Sequence, residues 1–474
     1  METVTEEKKM HIAMFPWLAF GHMIPFLELG KKIAITGHKI SFLAPPKNLQ
    51  RLPKIPPHLT HLVDFIPLPL PQVENLAPQA QATSDLPFNQ IPLLKIAFDG
   101  LKHSLEDFLA SSAPDWIIYD FAPHWLPPIT SRLGIPGAYF TIFHAYAVCA
   151  TGPSSAAIMN GEDPRTKPED FTVPPPWVPF PSVVAFRIHE ARRFFDHIEV
   201  NPSGVSDMFR VGSVLAGCDA VASRGIFEVE GQYISLLGEL HKKPSLPVGL
   251  LPPVTLVACR QEEEDETWKG IKKWLDQQEK GRVIYIALGS ELNLSQPEVD
   301  ELALGLELTG LPFFWVLRKQ LEPVVELPSG FEERVEGRGI VWTSWAPQLK
   351  IMSHDSVGGF LTHCGLSSIV EAIYYKRPLI MLPFGMDQGF NARVMEEKRV
   401  GVEVPRKEDD GSFSREAVAE TARLVVVEEE GKVYRDKAAE LSLLFSDEDL
   451  DDSYIDAFVA FLLNFTVSRT HHQL

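Results

Sequence analysis

His11-Ile-Ala-Met-Phe15 is a short apolar run, followed by the loop Pro16-Trp-Leu-Ala-Phe-Gly-His22 and a helical pattern from about Met23 to Ile35. Gly37 then stops the helix, and Lys39-Ile-Ser-Phe-Leu-Ala44 reads as the next strand. Strand, helix and strand in that order form a βαβ opening, which predicts a parallel sheet with helices on both faces. Trp116–Asp120 is a further buried strand, and it ends in a carboxylate. The stretch Pro164–Pro181, with Pro174, Pro175 and Pro176 in a row, reads as a surface excursion lying over a cleft.

The pattern restarts in the second half. Pro244–Pro253 is punctuated by proline and Gln261–Glu266 is acidic, which together read as a linker. Strands are expected at Arg282–Leu288, Phe313–Leu317, Ile340–Ser344, Gly359–Thr362 and Leu379–Pro383, with a helix near Gln296–Thr309. A chain of 474 residues is too long for one ordinary core. Two α/β units in tandem are therefore predicted, with the cleft between their parallel sheets as the default binding site.

Composition narrows the classes. With 45% hydrophobic and 23% charged residues the chain is of globular type, and its net charge of -19 argues against nucleic acid and anionic membrane surfaces as partners. Met1–Met10 is charged with no apolar core behind it, and the most apolar stretches are too short to span a bilayer. The four cysteines have neither metal nor redox spacing. The expectation is a cytoplasmic protein with free thiols, no membrane span and a monomeric state. Asp447-Glu-Asp449 and Asp451-Asp452 could be taken for metal ligands, but a solvated acidic face is the expected reading, and no metal is called for.

The chemistry concentrates between Trp345 and Gln388. The order is Trp345-Ala-Pro-Gln348, His354, Gly358-Gly-Phe-Leu-Thr-His-Cys-Gly365, Ser367-Ser368, Glu371, Pro378 and Asp387-Gln388. A strand ends in His363 and Gly365, and a helix begins at about Leu366. Such a helix start offers unpaired N–H groups and a positive dipole end to an anion. Gly365 lets a diphosphate approach the backbone, the hydroxyls of Ser367 and Ser368 add hydrogen bonds, and His363 donates another. Glu371, one turn on, is placed to accept from two ribose hydroxyls, and Trp345 offers a flat face to a base. Each has a bland alternative: Ser368-Ile-Val-Glu371 as a capping box, His363 as a strand-end histidine, Trp345 as core.

This segment of 44 residues resembles, in order and length, the signature box of plant family-one UDP-glycosyltransferases. Gly289-Ser290, Phe313-Phe-Trp-Val316, Asn391-Ala392 and the opening Phe15–His22 with Pro25 extend the resemblance over nearly the whole chain. It implies a GT-B architecture, two Rossmann-like domains with parallel sheets facing across a cleft. The implied boundaries are an acceptor domain at 1–245, a linker at 246–266, a UDP-sugar domain at 267–452 and a helix at 453–474 packing back on the first domain. It also implies that Trp345 stacks on uracil and Ala346 binds its edge. Gln348 and Glu371 hold the ribose, and Ser290, His363, Gly365, Leu366, Ser367 and Ser368 line the diphosphate. Asp387 and Gln388 hold sugar hydroxyls, which favours UDP-glucose as donor. The chain departs from the family where Trp and Asn usually follow His-Cys-Gly, since Leu366 and Ser367 stand there. The backbone N–H at 366 survives that change, whereas the donor-sugar preference does not follow from it.

An acceptor hydroxyl needs a base at neutral pH. His22 follows the first strand and Asp120 ends another strand of the same domain, so the carboxylate can fix one ring nitrogen while the other takes the proton. The pair also matches the family's, and predicts displacement with inversion from an α-linked donor to a β-linked product. Trp17, Phe121, His124, His144 and Glu291 are candidates for the acceptor pocket. The run Pro16–Leu29, Arg51-Leu-Pro-Lys54 and Tyr119–Trp125 resemble the branch of the family that adds sugar to a sugar already on a flavonoid or terpenoid. A small-molecule glycoside is thus the expected acceptor, with a bare aglycone as the alternative. Three other classes compete. An oxidoreductase lacks its Gly-x-Gly-x-x-Gly, a glycosidase lacks readable paired carboxylates, and a non-catalytic sugar-nucleotide binder would have no use for His22 and Asp120.

Overall fold

The computed structural model describes residues 9–195, 201–252, 266–289, 292–318, 324–385 and 387–472. The chain forms two compact units, Met1–Pro164 with Ile198–Leu251 and Glu448–Leu474, and Arg165–His197 with Pro252–Asp447. The proline-rich excursion after Pro164 thus belongs with the second unit, and the carboxyl-terminal helix with the first.

In the first unit, seven strands form one parallel sheet: β1 (His11–Phe15), β2 (Lys39–Ala44), β3 (Val63–Pro67), β4 (Trp116–Tyr119), β5 (Gly137–Thr141), β6 (Ala220–Ser223) and β7 (Ser245–Pro247). Their order is β3-β2-β1-β4-β5-β6-β7. The strands are short and apolar because both faces are covered, as parallel sheets require. Ile12, Met14, Phe42, Trp116 and Phe140 pack with Phe26 and with Phe458 and Leu462 of the helix Glu448–His472. Trp116 fixes that helix further, donating Nε1–H to the Leu462 carbonyl at 3.1 Å.

In the second unit, β8 (Val283–Ala287), β9 (Phe313–Val316), β10 (Gly339–Trp342), β11 (Val357–Thr362), β12 (Leu379–Met381) and β13 (Gly401–Glu403) run parallel in the order β10-β9-β8-β11-β12-β13. Ile284, Ile286, Trp315, Leu361 and Ile380 of the sheet pack with Val418 and Ala422 of the helix Arg415–Val426.

Both sheets reverse direction of growth once. Strand order turns between β1 and β4 in the first unit and between β8 and β11 in the second. A reversal splays the two following loops apart, and open α/β sheets bind ligands there, at the carboxyl ends of the strands. Phe15 pairs with Tyr119 at the first reversal and Ala287 with Thr362 at the second. The residues leaving those strand ends are the ones singled out by the sequence.

Two expectations are corrected. His22 is not in the loop but in the first turn of the helix Phe20–Ile35, because Ala19 is extended and its carbonyl already accepts the His22 and Met23 N–H groups. Nor is the acidic run near the carboxyl terminus wholly solvated. Asp451 is buried and accepts the Leu250 N–H at 3.0 Å, and Asp452 pairs with Lys32 at 2.6 Å. Burial pushes the Asp451 carboxyl up to about 6.

Candidate functional site

At the β1/β4 reversal, His22 Nδ1 lies 2.7 Å from Asp120 Oδ2. Asp120 is almost fully buried, and its other partners are the backbone N–H groups of Trp17 at 3.0 Å and Phe121 at 2.7 Å. An acceptor-only carboxylate so surrounded can take only a protonated Nδ1 from the imidazole. That fixes the tautomer and makes Nε2 the basic nitrogen. The ring is held between Phe121 and Phe143, with centroids 5.7 and 5.6 Å away.

The other first-unit candidates differ in kind. Trp17 is buried edge-on to Phe98 and Phe121 and belongs to the wall behind the dyad. Phe121 is half-buried beside His22. His124 Nδ1 receives Arg210 Nη1–H at 3.2 Å, so its proton sits on Nε2; burial and that guanidinium hold its pKa below the usual histidine range. His144 is buried, with Nδ1 2.7 Å from Glu230 and its ring on Tyr146, so that nitrogen is not offered to a ligand. Glu291 and Ser290 lie outside the described residues.

At the β8/β11 reversal, the chain turns through His363, Cys364 and Gly365 into the helix Leu366–Tyr374. Cys364 has φ +68°, unusual for a residue with a side chain, and it is held there by its N–H to Thr362 Oγ1 and by Asn391 Nδ2 on its carbonyl at 2.9 Å. Gly365 is the N-cap and gives no side-chain cap. Ser368 is therefore the third helical residue rather than the cap, and Glu371 bonds elsewhere, which disposes of the capping-box alternative. A Cβ on Gly365 would stand 2.6 Å from His363 Nε2, and one on Gly289 2.7 Å. The two glycines make room for that imidazole between the ends of β8 and β11. His363 Nδ1 has no partner among the described residues, and burial lowers the ring's pKa to about 4, so it is neutral near pH 7.

Further along the same sheet edge, Gln348 Nε2 donates to Glu371 Oε2 at 2.6 Å while Tyr285 donates its hydroxyl to Gln348 Oε1 at 3.3 Å. The two ribose candidates are thus neighbours, and Tyr285, which the sequence reading missed, orients the pair. Trp345 is 70% exposed and so is not core; Trp342 Nε1 donates to its carbonyl at 3.1 Å. Ala346 is buried. Asp387 is the N-cap residue of the helix Gln388–Glu397 without a side-chain cap, and Asn391 Nδ2 bridges its Oδ2 at 2.8 Å to the Cys364 carbonyl. Gln388 folds back so that Oε1 accepts the N–H groups of Phe384 at 2.9 Å and Gly385 at 3.2 Å. Every donor candidate from Trp345 to Gln388 therefore sits in the second unit, where hydrogen bonds join Gln348 to Glu371 and, through Asn391, Asp387 to the Cys364 carbonyl.

No group of three or more His, Cys, Asp or Glu side chains suited to a metal ion occurs among the described residues. No helix among them is long and apolar enough to cross a membrane.

Residues 244–465 match the family model of "UDP-glucoronosyl and UDP-glucosyl transferase". The chain is 49% identical over 463 residues to UDP-glycosyltransferase 91D2 of Stevia rebaudiana, covering 97% of this chain and 96% of that protein. It is 38% identical over 458 residues to cyanidin 3-O-galactoside 2''-O-xylosyltransferase of Actinidia chinensis var. chinensis, covering 94% and 97%. Among solved structures it is similar in fold to Glycyrrhiza uralensis UGT73P12 complexed with glycyrrhetinic acid 3-O-monoglucuronide, with a TM-score of 0.76 at 20% identity and 98% of each chain covered.

Proposed function

This chain belongs to the plant UDP-glycosyltransferases, enzymes that transfer a sugar from UDP, and from that premise we propose that it moves glucose from UDP-glucose to a hydroxyl of a sugar on a terpenoid or flavonoid glycoside, with inversion. The observation that carries the reading is the 2.7 Å contact of His22 Nδ1 with Asp120. His22 Nε2 takes the proton of the acceptor hydroxyl as that oxygen bonds to the anomeric carbon. The bond from that carbon to the β-phosphate oxygen breaks on the opposite side, and UDP leaves. Asp120 stabilises the imidazolium that results.

The leaving diphosphate gains charge in this step. The amino end of the helix Leu366–Tyr374 meets it with the N–H groups of Leu366, Ser367 and Ser368, the two serine hydroxyls and the neutral His363. These groups are preorganised, so the reaction requires no metal and no other cofactor. Trp345 and Ala346 hold the uracil, Gln348 and Glu371 the ribose, and Asp387 and Gln388 the sugar.

A sugar acceptor is favoured because a relative 38% identical to this chain is named for transfer to the 2''-oxygen of a galactoside. That relative transfers xylose, so the donor is a separate question on which Leu366 and Ser367 bear. We place the enzyme in the cytoplasm, with which the free, buried thiols of Cys149, Cys218 and Cys364 agree, and take it to act as a monomer. One experiment tests acceptor and donor together: turnover of an aglycone and its monoglucoside, each with UDP-glucose, UDP-xylose and UDP-rhamnose, read by mass spectrometry. Faster transfer to the bare aglycone would remove the sugar-to-sugar reading.

A further inference from the structure

The excursion Arg165–His197 packs within the second unit, and its contacts converge on the helix that Gln388 begins. Arg187 donates Nε and Nη2 to the two oxygens of buried Glu403, at 2.9 and 2.8 Å. Glu190 accepts the Arg187 N–H at 2.8 Å and Arg393 Nη2 at 2.6 Å. Phe186 packs on Phe390 with ring centroids 4.4 Å apart, and Arg193 Nη1 donates to the Phe384 carbonyl at 3.3 Å. Phe390 and Arg393 both lie in the helix Gln388–Glu397.

These contacts reach Gln388 from two directions. A Cβ on Gly389 would stand 2.3 Å from Glu190 Oε1, so that carboxylate lies against the helix's first turn, where the dipole favours a negative charge. Phe384 is gripped at both ends, its carbonyl by Arg193 and its N–H by Gln388 Oε1. With Oε1 committed to two backbone N–H groups, Gln388 has its Nε2 to donate. The excursion thus touches Phe384, whose N–H helps to orient the Gln388 amide, and Gly389, the next residue of the helix.

We infer that Phe186, Glu190 and Arg193 are positioning residues that set Gln388 for the sugar half of the donor, so that the enzyme distinguishes UDP-glucose from UDP. The inference rests on the reading of Asp387 and Gln388 as holders of sugar hydroxyls. The uridine half is gripped by other elements, around Trp345, Gln348 and Glu371, and is unaffected by the excursion.

The test compares KM for UDP-glucose with the inhibition constant of UDP in Gln388→Ala, Glu190→Gln, Arg193→Met and the Glu190→Gln/Gln388→Ala double variant. Gln388→Ala lowers the preference for UDP-glucose over UDP by about tenfold, the scale of one lost hydrogen bond. Glu190→Gln and Arg193→Met each lower it severalfold with UDP inhibition unchanged, and Glu190→Gln adds nothing once Gln388 is gone. Arg193 is exposed, so its variant folds even should Glu190→Gln not. The inference is overturned if Gln388→Ala lowers the preference while both excursion variants retain it, or if UDP and UDP-glucose weaken together. A Gln388→Ala enzyme with unchanged preference would overturn the sugar-holding reading itself.

Discussion

Asp120→Asn is the most informative single change, because the carboxylate's three partners leave an amide no good orientation. Oδ1 accepts the Phe121 N–H at 2.7 Å, and Oδ2 accepts the Trp17 N–H at 3.0 Å and faces His22 Nδ1 at 2.7 Å. If the amide nitrogen takes the Oδ1 place, it opposes the Phe121 N–H, and the imidazolium formed in the reaction loses its counter-charge. If it takes the Oδ2 place, it opposes the Trp17 N–H and forces His22 to present an unprotonated Nδ1. The proton then sits on Nε2, the nitrogen that has to receive one. Loss of a positioned base is worth about 10²- to 10⁴-fold in rate, or about 3–5 kcal/mol of barrier. The buried donor left opposite another donor costs about 1–3 kcal/mol of stability. The assay is UDP release at saturating donor and acceptor, with UDP affinity titrated separately. The expected result is a kcat down by about 10²-fold or more with UDP affinity unchanged, since the proposed uridine contacts are in the other unit. His22→Ala falls as far, and the double variant little further, because the two act as one device. An Asp120→Asn enzyme within about threefold of wild-type kcat would refute the assignment of the base.

Four further outcomes follow from the same geometry. Glu371→Gln keeps its place beside Gln348 but loses the charge that strengthens ribose hydrogen bonds; UDP affinity falls about tenfold while 2',3'-dideoxy-UDP is hardly affected, as titration calorimetry would read. Gly365→Ala is free of backbone strain yet puts a methyl group 2.6 Å from His363 Nε2, so UDP binding weakens more than the melting temperature falls. Asp451, raised to about 6 by burial, binds a proton more readily folded than unfolded, so its contribution to stability is full below about pH 4 and is lost as pH rises through 6. Asp451→Asn, which keeps an acceptor for Leu250, is therefore stabilised relative to wild type at pH 8 but not at pH 4, a difference visible in paired thermal melts. EDTA leaves turnover unchanged; loss of activity restored by a divalent cation would overturn the proposal that helix dipole and N–H groups suffice.

Where local chemistry decides an element, the sequence announced it. The helix expected near Gln296–Thr309 forms there, with Ser295 and Glu298 in a capping box at its start and Gly310 closing it with φ +68°. The strands β3, β5, β6, β7 and β13, three to five residues long, are the ones the sequence pattern does not mark. His22 falls just short of the expected helix start at Met23, because the turn closes on the Ala19 carbonyl and the helix begins at Phe20. The donor box was legible because its residues lie close in sequence along one strand-turn-helix edge. The supports were not. Glu190 and Arg393 are 203 positions apart, and Arg210 lies 111 from the Asp99 it pairs with, so no spacing announces either. Arg210 also holds the Ala122 carbonyl at 2.7 Å and thus the loop that carries Asp120, a role visible only once the chain is folded.

The division of labour follows from sheet topology more than from any single motif. A parallel sheet whose strand order reverses once has one place where two adjacent loops part company at the carboxyl ends of the strands. In the first unit the residues there are a histidine and a carboxylate, which can move a proton but offer a diphosphate only repulsion. In the second they are glycines, serines, a neutral imidazole and an uncapped helix, which suit a diphosphate but include no base with a partner to orient it. His363 illustrates the difference from His22. Its pKa is pushed down to about 4 and no carboxylate is bonded to it, so it has neither the affinity for a proton nor the counter-charge that a general base needs. Among the described residues, the pair suited to moving a proton thus stands at one reversal and the groups suited to an anion at the other.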